Sequence, residues 1–112
     1  MLSKPVIDFA SVIAWQKSLA NHWGGDPLAE DPARLESLAA FCEFMDKNPD
    51  ELLEFCFLYR RATGEKFPSK KRREEVTAKV REFVAASGLK GSEARRIGSN
   101  ILSFLSHNGV LI

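Results

Sequence analysis

Apolar positions recur along this chain at helical spacing, and no segment holds a sustained strand alternation. The pattern predicts a first helix from about Phe9 to His22, capped by Asp8, with Phe9, Val12, Ile13, Leu19, Ala20 and Trp23 on its apolar stripe. Gly24, Gly25, Asp26 and Pro27 then break the chain. A second helix opens at Asp31–Pro32, where aspartate can cap free amides and proline suits the first helical position. Leu35, Leu38, Ala39, Cys42 and Met45 line its inner face. Asn48–Pro49 repeats the start signal, and Asp50 and Glu51 complement the helix dipole in the first turn. From Leu52 to Tyr59 the chain is apolar nearly all round, so a third helix, ending near Gly64, is expected to be the buried centre.

Ser69 can cap a fourth helix, with Val76, Val80, Phe83 and Val84 facing inward and Gly88 closing it. Ser92 opens a fifth, whose core face is Ala94, Ile97, Ile101, Phe104 and Leu105, and Gly109 closes that one. Val110-Leu111-Ile112 is expected to run on into a linker. The reading is all-α: a compact bundle of about five helices forming one domain over residues 1–112. Residues 1–30 are its N-terminal helix and loop, and 31–112 its main bundle.

Composition narrows the class. The chain has 112 residues, of which 45% are hydrophobic and 28% charged, which suits one folded domain and argues against disorder. No apolar run approaches the roughly 20 residues that span a bilayer, so no membrane partner is expected. Two cysteines, Cys42 and Cys56, make no disulfide framework, and a reduced, cytoplasmic setting is expected for them. The net charge of +1 hides an asymmetry: residues 1–58 carry a net −6 and residues 59–112 a net +7. Such a split suggests that one face meets a polyanion.

The templates of catalysis are missing. Gly24-Gly25 is an isolated pair and no phosphate loop; His22 and His107 lack zinc-motif spacing; neither cysteine has a base in its own helix. The carboxylates sit where capping explains them. No catalytic residue, metal site or cofactor is expected, and the chain is not expected to be an enzyme.

The basic half is more informative. Lys70, Lys71, Arg72 and Arg73 open the fourth helix, with Arg60 and Arg61 shortly before. Positive charge there opposes the helix dipole, a local penalty that an anionic partner would offset. On the fifth helix, at 100° per residue from Ile97, the apolar residues Ile101, Phe104 and Leu105 fall between about −20° and +80°. Arg95, Arg96, Ser92, Ser99, Ser103 and Ser106 fall between about 160° and 260°, with Glu93 near that face's edge. Short hydroxyl side chains allow close approach to a duplex, and arginine reaches phosphate or guanine. Lys90 adds charge at the same end.

The stretch Gly88-Leu89-Lys90-Gly91-Ser92-Glu93-Ala94-Arg95-Arg96-Ile97, continuing from Ile101 through Val110, resembles the last helix of the N-terminal, SAM-like core-binding domain of tyrosine recombinases, the phage-integrase family. Leu35-x-x-Leu38-x-x-Phe41-Cys42-x-Phe44 with Asp46-Lys47-Asn48-Pro49-Asp50-Glu51-Leu52 is similar to that family's second helix and the following turn. Phe83-Val84-x-x-Ser87-Gly88-Leu89 is similar to the helix end before the last helix. These patterns are soft and cover roughly residues 31–112. The resemblance implies an orthogonal helical bundle that forms half a clamp around double-stranded DNA during integration and recombination. The catalytic half would be a separate C-terminal domain, none of whose motifs occurs here, and that domain or neighbouring protomers would be the protein partners.

Two positions depart from the family. The second helix begins Pro32-Ala33-Arg34 among Glu30, Asp31 and Glu36 in place of basic and hydroxyl residues, and Ala94 stands where a threonine is usual. The DNA-binding set therefore rests on the last two helices: Lys70, Lys71, Arg72, Arg73, Lys90, Ser92, Arg95, Arg96, Ser99 and Ser103. The competing expectation is a helical protein–protein adaptor that docks through the acidic first half or through exposed aromatics such as Trp15 and Phe44.

Overall fold

A computed structural model describes residues 4–110. A turn of 3-10 helix at Val6–Asp8 leads into α1 (Ala10–Trp23), then α2 (Pro27–Glu30), α3 (Pro32–Met45) and α4 (Pro49–Cys56). A hairpin of β1 (Phe57–Tyr59) and β2 (Lys66–Pro68) follows, then α5 (Lys70–Ala86) and α6 (Ser92–His107). The architecture is an all-α bundle with one two-stranded sheet among the described residues.

The amphipathic α6 is the hub, packing on α3, α5 and α1. Ile101, Phe104 and Leu105 are fully buried, together with Leu38 and Phe41 of α3 and Val76 of α5. Trp15 meets Phe104 edge-on, with ring centroids 5.5 Å apart. The first helix is thus part of the common core. Its buried stripe is Phe9, Val12, Trp15 and Leu19, whereas Ile13 and Trp23, expected on that stripe, are exposed. Trp15 is therefore no docking aromatic; Phe44 is half-exposed as expected.

Several starts and stops follow the sequence signals. Asn48 and Glu51 form a reciprocal capping box at α4. Ser69 accepts from the Arg72 amide at the start of α5, and Gly88, at φ +74°, follows the other end of that helix. Two caps differ. Asp8 does not cap α1; the N-cap position is Phe9, and the buried Ser11 amide is met by Asp50 of α4 at 3.0 Å. Asp31 occupies the N-cap of α3 without capping it, because its carboxylate is held by Arg34 and Arg96.

Two elements depart from the helical pattern. Pro27, read as a breaker, is the first residue of the one-turn α2, and the Leu28 amide donates to the Gln16 side chain. The third helix stops at Cys56, well short of Gly64. Phe57, Leu58 and Tyr59 are strand-favouring, and the antiparallel register pairs Phe57 with Pro68 and Tyr59 with Lys66. Gly64 supplies the φ of +70° that reverses the chain, and its amide bonds the Arg60 carbonyl. Val110, expected to lead into a linker, is buried in the core with its amide on the Leu105 carbonyl. The remainder of that expectation, Leu111 and Ile112, lies outside the described residues. Among the described residues no helix is long and apolar enough to cross a membrane.

Candidate nucleic-acid interface

The basic run that opens α5 is divided by the helix. Lys70 and Lys71 are exposed, while Arg72 and Arg73 turn toward the protein and are half-buried. The Arg72 guanidinium donates to the Phe55 carbonyl at 3.3 Å and lies 4.5 Å from the Phe55 ring centroid, so it joins α5 to α4. The hairpin, which periodicity alone did not reveal, carries Arg60, Arg61 and Lys66 just ahead of the exposed lysines. Two of these charges are engaged in the hairpin itself, Arg60 with Glu65 and Lys66 with Glu54.

A second locus lies at the start of α6. Gly91, at φ +66°, occupies the N-cap with no side chain capping the helix, so the first amides of α6 lack a side-chain partner. Lys90, Ser92, Arg95 and Arg96 are all exposed around this end, and Ser99 is exposed two turns further along. Arg96 reaches Asp31 at 2.9 Å, yet its side chain remains 62% exposed. Ser103 points elsewhere: it accepts the Trp15 indole N–H at 3.2 Å and ties α6 to α1. Asn100, on the same helix, is buried with its amide on Ser37 of α3. Of the ten sequence-selected residues, the fold gathers four (Lys90, Ser92, Arg95 and Arg96) at the start of α6, sets Ser99 at mid-helix and leaves Lys70 and Lys71 at the far end of α5. Seventeen residues of helix separate the two loci by about 25 Å.

No group of three or more His, Cys, Asp or Glu among the described residues could hold a metal ion. Burial pushes the Cys42 thiol up to about 12 and the Cys56 thiol up to about 11, the latter despite the opposing charges of Arg72 and Arg73. Both thiols are protonated at neutral pH and serve as small apolar groups. His22 and His107, remote in sequence, meet edge-on at 5.9 Å where α1 passes the end of α6, and Ser18 shares a hydrogen bond with His107 Nδ1. No protein-family model, curated protein or solved structure matches this chain.

Proposed function

We propose that this chain is a non-catalytic module that binds double-stranded DNA, of the kind that forms half of a recombinase clamp and acts in the cytoplasm. The observation that carries the reading is the start of α6, where the exposed Lys90, Ser92, Arg95 and Arg96 lie within the first turns beside amides that no side chain caps. Helix N-terminal amides and the positive end of the dipole favour phosphate, and the flanking cations add a non-specific attraction. Glu93 is the one carboxylate in the first turn of that helix. Lys70 and Lys71, a helix length away, supply a second point of attachment along the duplex. Arg95 and Ser99 are the side chains placed to read a groove edge. Arg72, Arg73 and Ser103 leave the DNA-contacting set, since they face the protein. The soft resemblance of residues 31–112 to core-binding domains supports the clamp reading, and a catalytic partner domain or neighbouring protomers would complete it.

The test is fluorescence anisotropy of a labelled duplex titrated with protein across a range of salt. Five outward cations (Lys70, Lys71, Lys90, Arg95 and Arg96) predict a slope of log affinity against log salt of about −4.5. Replacing Lys90 and Arg95 with alanine is expected to flatten that slope by about 2. Absence of binding at low salt to duplexes of varied sequence overturns the reading.

A further inference from the structure

Between α5 and α6 lies an open groove of about 550 Å³. Its surface is apolar, built by Val80, Val84, Leu89 and Leu102, and Leu89 stays 40% exposed. Its width comes from small residues on α6. A Cβ placed on Gly98 would lie 3.9 Å from the nearest Val84 methyl, an ordinary contact, so helix packing does not demand glycine there. Glycine inside a helix nevertheless costs stability relative to alanine. The missing side chain leaves space, and no described residue fills it.

The charges around this space are one-sided. Arg81 of α5 and Arg95 of α6 line opposite walls, and no carboxylate lines the groove. Neither guanidinium has a carboxylate within ion-pairing distance among the described residues, although Arg96, next in sequence, has one. A single-headed anionic amphiphile would need positive charge at one end of the groove. Here each helix contributes one arginine, which matches an occupant with carboxylates on both flanks of an apolar ridge.

We propose that the groove seats an acidic amphipathic helix from a protein partner. Apolar side chains at i, i+3, i+4 and i+7 fill the space over Gly98, and aspartate or glutamate on either flank meets Arg81 and Arg95. The inference shares Arg95 with the duplex reading, but Arg81 and Ala85, another lining residue, belong to no proposed DNA contact, so variants at those two positions separate the two readings.

The test uses the full chain and a fluorescein-labelled, helix-forming peptide with leucines at i, i+3, i+4 and i+7 and flanking glutamates. A matched peptide with lysines in place of the glutamates is the control. The expected result is saturable binding of the acidic peptide alone, weakened about tenfold by Arg81→Gln and likewise by Ala85→Trp, which fills the groove. Both variants should keep the helical circular-dichroism spectrum and the duplex affinity of the parent. Equal binding of the lysine peptide, or unchanged affinity in Ala85→Trp, overturns the proposal. So does displacement of the peptide by dodecanoate at comparable affinity, which would assign the groove to acyl chains. Self-association by light scattering that Ala85→Trp abolishes would likewise overturn it, by assigning the groove to a second copy.

Discussion

A single carboxylate, that of Asp50, closes the start of a helix 39 positions earlier in the chain. It accepts from both the amide and the hydroxyl of Ser11, which is 7% exposed, so both donors depend on it. Asp50→Ala leaves them without that partner and should cost about 2 kcal/mol, read as a lowered urea midpoint. His107 acts in another way. Burial foremost, then the charges of His22 and Arg34, hold its imidazole below the ordinary value of 6.5. The folded state therefore disfavours a proton that the unfolded chain accepts. Stability should be flat above about pH 6.5 and fall as the pH drops below that value toward the folded pKa. Urea titrations across this window should show a smaller loss in His107→Gln. An identical loss in the variant would assign the pH dependence to other groups. Neither residue's role could be read locally: Asp8 carries the better cap signal for α1, and His107 meets Ser18 and His22 only once the first and last helices are packed together.

At the scale of elements, long periodic segments were legible and their ends less so. The Asn48–Pro49 start signal and the Ser69 cap are written in local sequence and the structure has both, while the reciprocal bond of Glu51 to the Asn48 amide is added by the structure. The hairpin was not legible, because Phe57, Leu58 and Tyr59 continue an apolar run that a buried helix would also show. What decides between them is the Gly64 turn and the pairing with Lys66–Pro68, a partner that periodicity does not contain. The start of α5 shows the same limit. Four consecutive basic residues look equivalent in sequence, yet one helical turn sends Lys70 and Lys71 outward and Arg72 onto Phe55. Arg72→Met should therefore destabilise the fold by about 1–2 kcal/mol in denaturant unfolding while leaving duplex affinity nearly unchanged. Lys70→Ala combined with Lys71→Ala should do the reverse, weakening duplex binding with stability altered by less than about 0.5 kcal/mol. A large loss of duplex affinity in Arg72→Met would return Arg72 to the interface.

For the whole molecule, the division of charge between the two halves of the chain was plain from the sequence. What it could not convey is how the fold distributes that charge. Asp31, from the acidic half, is carried to Arg96, so one cation of the α6 surface is partly neutralised by the opposite half of the chain. Likewise, an outer face defined by angles around one helix included Ser103, because a helical wheel does not know that α1 lies beside that part of α6.

The position of α6 at the centre, although it is the last helix of the described chain, has a consequence for how the protein is made. Ser103 with Trp15, His107 with Ser18 and Asn108 with Ser11 join residues separated by 88, 89 and 97 positions. Until Ile101, Phe104 and Leu105 have left the ribosome, Trp15 lacks the Phe104 ring it packs against, and the core around Leu38 and Phe41 cannot be completed. The first helices must wait, with much of their apolar surface uncovered, for a segment synthesised about 80 residues later. Folding of this domain is then withheld until α6 has emerged, and is completed in one step once that closing helix arrives. During that interval the nascent chain is at its most exposed to aggregation, and to whatever chaperone attends its synthesis.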